Sequence, residues 1–200
     1  MLQGVLFDLD GVITDTSNYH YLAWKAMADK LGIDIDRDFN EGLKGISRRE
    51  SLKKILEYGK LSDKITDKEF DQLLDEKNKY YLEYIDKLDQ KDILPGILDL
   101  LKELHGRNIK IALASVSKNG SRILEKLNIL QYFDAVVDPA KVKNSKPAPD
   151  IYLAAAAALD LPKAEVVGVE DAVAGVEAIN SADIFSVGVG DPGILKAADV

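Results

Sequence analysis

Short apolar runs alternate with segments of helical periodicity at the start of the chain and again from residue 94 onward. Apolar, β-branched runs that alternate with helices are typical of parallel strands buried on both faces of a sheet. Strands are predicted at residues 4–10, 109–115, 134–138, 166–170 and 185–190. Helices are predicted at residues 97–106, 120–129, 149–161 and 174–182. The pattern therefore predicts an α/β core with a doubly wound, Rossmann-like parallel sheet.

The segment from 15 to 93 has a different pattern, because it is charged and helical throughout. Its first helix is predicted to have Ser17 as its N-cap and to end at Gly32. The sequences SRRE (47–50) and TDKE (66–69) match the capping-box pattern with which helices begin. We therefore expect an α-helical cap domain, residues 15–93, inserted into a catalytic core of residues 1–14 and 94–200.

Composition and charge narrow the classes of function. The chain has 200 residues, 46% of them hydrophobic and 30% charged, which is ordinary for a globular protein. The absence of cysteine excludes a disulfide framework, a thiol nucleophile and a cysteine zinc site. A net charge of −8 argues against nucleic acid or an anionic membrane as a partner. No signal-peptide core precedes Asp8, so we expect a cytoplasmic protein.

Charged and hydroxyl-bearing residues stand at the carboxyl ends of four successive predicted strands. Ligands of doubly wound sheets bind at this edge, so these residues are expected to share one site. Mg²⁺ prefers carboxylate and carbonyl oxygens, and phosphate oxygens often complete its octahedron. A carboxylate can also attack phosphorus, while a hydroxyl and an ammonium hold the transferring phosphoryl oxygens. The order thus indicates a Mg²⁺-dependent phosphoryl-transfer site containing Asp8, Asp10, Ser115, Lys146, Glu170 and Asp171.

Four segments resemble the motifs of the haloacid dehalogenase superfamily of aspartyl-phosphate phosphotransferases: FDLDGVITDT, ALAS, SKPAPD and GVEDAVAG. The resemblance implies that Asp8 is the nucleophile and that Asp10 is the general acid and base. It also implies one magnesium ion, held by Asp8, the backbone carbonyl of Asp10, Glu170 and Asp171. The phosphoryl group would be held by Ser115, Val116 and Lys146. One departure is Ala172, where close relatives often carry serine, and it removes a hydroxyl but no metal ligand.

The segments ITDTSNYHYLAWK and LKGISRRESLKKIL are similar to the cap of one branch of this superfamily, the β-phosphoglucomutases. These enzymes interconvert β-D-glucose 1-phosphate and glucose 6-phosphate through β-glucose 1,6-bisphosphate, which is both activator and intermediate. The resemblance implies a monomer whose Thr16 and His20 couple cap closure to Asp10. Members of the branch continue past the position of Val200 with a further strand and helix, so the resemblance also implies a truncated C-terminus. The implied substrate-binding residues are Thr16, His20, Trp24, Lys44, Gly45, Ser47, Arg48, Ser51, Lys77, Lys118 and Asn119.

Several interpretations remain open. By itself, Lys77 on an aromatic helix face is equally explained as a lysine that extends along that face to water, and Trp24 as a core residue. A sugar-phosphate phosphatase of the same superfamily would carry the same core motifs as a mutase. A non-enzymatic phosphate switch would also use an aspartyl phosphate and Mg²⁺, but it would need neither the helical insertion nor Asp10. We rank the mutase first, the phosphatase second and the switch third.

Overall fold

The computed structural model describes residues 1–43 and 46–200, which form two compact units. The first unit is Met1–Asp15 with Leu88–Val200, and the second is Thr16–Lys87. The sequence predicts boundaries after residues 14 and 93, so the second boundary falls earlier in the chain than predicted. The predicted functions of the two units, catalytic core and cap, stay predictions.

Backbone contacts explain the position of the second boundary. The backbone N–H of Leu94 donates to the carbonyl of Ile13 at 2.9 Å, and the hydroxyl of Thr14 donates to the carbonyl of Asp92 at 2.7 Å. Thr14 and Ile93 also form an antiparallel bridge. The segment before residue 94 is therefore bound to the first unit. The segments by which the chain leaves this unit and returns to it are hydrogen-bonded neighbours.

The secondary structure alternates between strands and helices in the first unit and is helical in the second. Lengths of 3₁₀-helix join several of the elements. No helix within the described ranges is both long enough and apolar enough to cross a membrane. In chain order the elements are β1 (Gly4–Phe7), α1 (Ser17–Lys30), α2 (Arg37–Glu41), α3 (Arg48–Tyr58), α4 (Asp67–Ile85), α5 (Ile97–Gly106), β2 (Lys110–Leu113), α6 (Gly120–Lys126), β3 (Ala135–Val136), α7 (Asp150–Ala158), β4 (Val166–Glu170), α8 (Val173–Ser181) and β5 (Phe185–Gly188).

The five strands form one parallel sheet in the order β3-β2-β1-β4-β5, which confirms the predicted doubly wound fold. β1 is central and buried along its whole length, and its Phe7 aligns with Leu113 of β2 and Val169 of β4. Four of the five strands are shorter than predicted, and of these only β1 is followed directly by a charged residue. Helices α7 and α8 contribute apolar side chains to a core that includes Leu6, Ile151 and Ile179.

The second unit is built from the amphipathic helices α1 to α4. Both predicted capping boxes are present, Ser47 with Glu50 and Thr66 with Glu69, and they begin α3 and α4. The prediction of Ser17 as the first N-cap is wrong, because Thr16 occupies that position and its hydroxyl bonds to a tyrosine rather than to the helix. Helix α2 was not predicted, since its five residues contain a single large apolar side chain. The core of this unit includes Trp24, Met27, Ile35, Leu52 and Ile55.

Candidate phosphoryl-transfer site

Asp8 lies at the carboxyl end of β1, at the centre of the sheet. Its backbone N–H donates to the carbonyl of Val169 at 3.0 Å, and Ala114 donates to the carbonyl of Phe7 at 2.8 Å. Because β1 pairs in parallel with β2 and β4, Asp8 is next to the residues that end those strands. These neighbours are Ser115, which follows β2, and Glu170, which ends β4.

Lys146 brings a buried positive charge to this edge. Its side chain is 1% exposed, and its Nζ lies 2.7 Å from Oδ1 of Asp8 and also pairs with Oε1 of Glu170. Burial opposes the charged form, but the ion pairs with Asp8 and Glu170 outweigh it and raise the pKa of Lys146 above its usual value. Lys146 is therefore held as a cation against two carboxylates.

The carboxylate of Glu170 accepts four hydrogen bonds. Lys146 and the hydroxyl of Tyr152, at 3.0 Å, both donate to Oε1. The backbone N–H groups of Asp171 and Ala172 donate to Oε2 at 3.0 and 3.1 Å. A side chain at Gly175 would overlap this carboxylate, so glycine at the start of α8 provides its space. The orientation of Glu170 is consequently fixed from both oxygens.

Three carboxylates form a cluster that could hold a metal ion. Asp8, Glu170 and Asp171 each offer an oxygen within 4.8 Å of the others. Gly11 has φ +79°, and a side chain there would overlap Asp171, so this glycine permits both the turn and the close carboxylate. Oxygen ligands in such a group suit Mg²⁺.

Electrostatics support the need for a cation in addition to Lys146. Burial raises the pKa of Asp8 well above its usual value, and Lys146 opposes this increase. The negative charges of Glu170 and Asp10 raise it further. An ionised Asp8 therefore needs more positive charge nearby than one lysine supplies. A magnesium ion at the carboxylate cluster would provide it, so the residues present fit the ion.

The other predicted residues of the first unit lie on the loops that follow β1 and β2. Asp10 is half-buried and forms a bridge with Thr14 just after β1. The buried Ser115 accepts a hydrogen bond from the backbone N–H of Ser117 at 3.2 Å, which shapes the turn toward α6. On the same loop, Val116 and Asn119 are half-buried and Lys118 is exposed.

A second polar cluster lies within the helical unit, around Lys77 of α4. The side chain of Lys77 is buried, and its Nζ lies 2.8 Å from Nδ1 of His20. An ammonium group can only donate, so Nδ1 accepts and the imidazole proton is assigned to Nε2. Burial lowers the pKa of His20 well below its usual value, and the positive charges of Lys77 and Arg48 lower it further. His20 is therefore neutral.

Aromatic side chains surround this lysine. Its Nζ lies 4.8 Å from the ring centroid of Trp24 and 4.6 Å from that of Tyr81. The ring of Tyr81 also packs on His20 with centroids 4.1 Å apart, and its hydroxyl is 2.8 Å from that of Thr16. Four predicted residues, Thr16, His20, Trp24 and Lys77, are thus brought together within this unit. The alternative that Lys77 extends to water is wrong, because the residue is 1% exposed.

The start of α3 carries the remaining predicted cap residues. Arg48 is the first residue of this helix, and burial lowers its pKa. The hydroxyl of Ser47 belongs to the capping box, and that of Ser51 donates to the carbonyl of Ser47 at 3.1 Å. The capping hydroxyl of Ser47 stabilises the helix start, whereas the bond of Ser51 to the carbonyl four residues earlier only fixes its side chain. The predicted residues Lys44 and Gly45 lie outside the described residues.

Comparisons with known proteins agree with this arrangement. Residues 2–183 match the family described as haloacid dehalogenase-like hydrolase. The chain belongs to this family. It is 50% identical over 199 residues to the β-phosphoglucomutase of Bacillus subtilis, covering 100% of this chain and 88% of the relative. It is 30% identical to the phosphorylated carbohydrates phosphatase of Thermotoga maritima, covering 92% of this chain and 82% of the relative.

A solved structure is similar across the same length. The crystal structure of β-phosphoglucomutase from Clostridium difficile superposes with a TM-score of 0.98 at 50% identity, and the match covers 100% of this chain and 90% of that one. The resemblance drawn from the four motifs is therefore confirmed. Haloacid dehalogenase enzymes generally use Mg²⁺, which agrees with the carboxylate cluster of this family member.

Two tyrosines contact the two clusters of this haloacid dehalogenase chain, but neither was predicted as a site residue. Tyr152 lies in the alanine-rich helix α7, which was predicted as a helix without a role for this tyrosine. Tyr81 lies on the aromatic helix face that carries Lys77, but its contacts with His20 and Lys77 were not predicted. A polar-tipped aromatic residue on a buried face needs a hydrogen-bond partner, and that requirement could have indicated both.

Proposed function

We propose that this protein is a mutase that interconverts β-D-glucose 1-phosphate and glucose 6-phosphate by phosphoryl transfer through Asp8. The observation that carries the proposal is 50% identity along the whole chain to a relative named β-phosphoglucomutase. The phosphatase relative is less similar, at 30% identity. The two charged clusters support the same proposal, because a sugar bisphosphate has two phosphates to bind.

In this mechanism Asp8 is the nucleophile and Asp10 the general acid and base. Asp8 attacks the phosphoryl group of the bisphosphate and becomes an aspartyl phosphate, while Asp10 gives a proton to the departing sugar oxygen. Lys146, Ser115 and the backbone at Val116 bind the phosphoryl oxygens. Asp8, the carbonyl of Asp10, Glu170 and Asp171 would hold magnesium, which would supply positive charge that favours an ionised Asp8 and the transferring group.

The helical unit would bind the sugar and its non-reacting phosphate. Lys77 and Arg48 are cations close enough to His20 to lower its pKa, so they form one positive region. Arg48 also begins a helix, where backbone N–H groups favour an anion, and its guanidinium can bind phosphate through two parallel hydrogen bonds. Thr16, Trp24, Ser47 and Ser51 of this unit are proposed as further substrate-binding residues, as are Lys118 and Asn119 of the first unit. β-Glucose 1,6-bisphosphate is proposed as activator and intermediate.

One assay tests the proposal. The protein is given β-glucose 1-phosphate, Mg²⁺ and a trace of β-glucose 1,6-bisphosphate, and glucose 6-phosphate and inorganic phosphate are measured together. A mutase yields mainly glucose 6-phosphate. Mainly inorganic phosphate would contradict the proposal and identify a sugar-phosphate phosphatase instead. The expectations of a monomer and of a cytoplasmic location stay predictions.

A further inference from the structure

Tyr152 is a buried polar residue beside the phosphoryl-transfer site. The reaction proposed above assigns no role to it. It lies on α7 and is 0% exposed. Its hydroxyl donates to Oε1 of Glu170 at 3.0 Å, and its ring centroid lies 5.2 Å from Nζ of Lys146. The side chain therefore touches both members of one ion pair through different groups.

The two carboxylate oxygens of Glu170 accept hydrogen bonds from different kinds of donor. Oε2 accepts from two backbone N–H groups at the start of α8, and these cannot move without the helix. Oε1 is shared by the hydroxyl of Tyr152 and the ammonium of Lys146. Lys146 also reaches Oδ1 of Asp8 at 2.7 Å, so the two carboxylates compete for it. Because Oε1 of Glu170 also accepts from Tyr152, Glu170 does not depend on Lys146 alone for a donor at this oxygen.

We propose that Tyr152 is a positioning residue that allows Lys146 to move from the two carboxylates to a transferring phosphoryl group. A buried carboxylate oxygen that loses a donor without replacement is costly. With the tyrosine hydroxyl in place, Oε1 of Glu170 keeps one donor when Lys146 turns away. Without it, Glu170 would hold Lys146 more tightly. The inference rests on phosphoryl transfer at Asp8, but not on whether the final acceptor is a sugar or water.

The first test is Tyr152→Phe, which removes the hydroxyl and keeps the ring. Acetyl phosphate, a donor without a sugar, phosphorylates Asp8, and the aspartyl phosphate is measured over time. We expect the phosphorylation rate to fall about tenfold, because a hydrogen bond to a charged group contributes at least that factor. The KM for β-glucose 1-phosphate should change far less than kcat. Tyr132→Phe is the matched control, since that tyrosine lies in the same unit and packs on His105.

A second variant distinguishes action through Glu170 from a general loss of structure. Because Glu170 is also a proposed magnesium ligand, this comparison uses the metal-free protein and the ¹⁵N NMR signal of Lys146 Nζ instead of a rate. In a Glu170→Gln background the carboxylate charge is gone, so adding Tyr152→Phe should shift this signal far less than it does in wild type. An undiminished effect in that background would overturn the inference, because the tyrosine would then act by another route. An unchanged rate for Tyr152→Phe alone would also overturn it.

A spectroscopic measurement decides the inference even if the proposed reaction fails. In protein labelled with ¹⁵N-lysine, the Nζ signal of Lys146 is assigned by its loss in Lys146→Met. Tyr152→Phe should shift this signal, and Tyr132→Phe should not. An Nζ signal that is the same in wild type, Tyr152→Phe and Tyr132→Phe would overturn the inference, whatever products the enzyme forms. Failure of wild-type Asp8 to become phosphorylated would instead overturn the proposed function.

Discussion

Replacing Lys77 with methionine separates charge from packing in the helical unit, because methionine keeps most of the length of the side chain. The variant loses a hydrogen bond to His20 and two contacts with aromatic rings, at Trp24 and Tyr81. Each cation–π contact stabilises by about 0.5–2 kcal/mol, but a buried charge costs several kcal/mol in lost hydration. These contributions oppose each other. We therefore expect the free energy of unfolding to change by less than about 2 kcal/mol.

Turnover is also expected to fall, because Lys77 is a proposed substrate-binding residue. A hydrogen bond between a charged donor and a substrate phosphate contributes about 1.5–3 kcal/mol. Its loss corresponds to a fall in kcat/KM for β-glucose 1-phosphate of roughly 10- to 100-fold. The pKa of His20 should rise at the same time, because the charge of Lys77 is the second cause, after burial, that lowers it.

Three measurements check this prediction. Turnover is followed by glucose 6-phosphate formation, the pKa of His20 by an NMR titration, and stability by urea unfolding. Lys79→Met is the control, because Lys79 is exposed on the same helix. The reasoning is refuted if kcat/KM stays within twofold of wild type, or if the pKa of His20 does not rise. A loss of more than about 3 kcal/mol in stability would also refute it, since Lys77 would then act mainly by holding the helices together.

Four further predictions follow from the same geometry. Asp10→Asn should retain Mg²⁺ binding through its backbone carbonyl but lower kcat by about 10²–10⁴-fold, and a loss below tenfold would exclude Asp10 as acid and base. Asp171→Ala should weaken Mg²⁺ binding, measured by calorimetry, and full activity in excess EDTA would contradict the metal site. Arg48→Ala should raise the KM for β-glucose 1-phosphate and leave phosphorylation of Asp8 by acetyl phosphate unchanged; if both reactions fall together, Arg48 supports the fold instead. Because the folded pKa of His20 lies below its ordinary value of 6.5, the unfolded chain binds the proton first as the pH falls. The stability of wild type relative to His20→Gln should therefore decrease between pH 7.5 and 5.5 in urea unfolding, and a pH-independent difference would contradict a neutral, buried His20.

The sheet and its edge could be predicted well from the sequence, because each depends on local patterns. Strand β4 was predicted with its observed bounds, since its apolar run ends in two carboxylates that mark where the ladder stops. The clustering of Asp8, Glu170 and Asp171 followed from the topology, as parallel strands end at one edge. Helix α5 also matches, because its apolar spacing is regular.

The contacts between distant segments could not be predicted in the same way. No local signal favoured Thr16 over Ser17 as the N-cap, and the hydroxyl of Thr16 bonds to Tyr81, 65 positions away, so the local N-cap rule chose the wrong residue. The hydrogen bond from Tyr152 to Glu170 joins α7 to β4 and has no sequence signal of its own. Packing between helices decides such pairs, and periodicity indicates only which face is buried.

The side-by-side bonds of Thr14 with Ile93 and of Ile13 with Leu94 have a consequence for how this family can diversify. The helical insertion begins and ends at neighbouring backbone positions of the first unit, outside the sheet, so its length and sequence are not constrained by the spacing of strands. Insertions, deletions or exchange of the segment between these bonds leave β1 and α5 anchored to each other. The fold therefore permits new substrate preferences to arise in the insertion while the aspartate, lysine and acidic residues on the sheet are inherited unchanged.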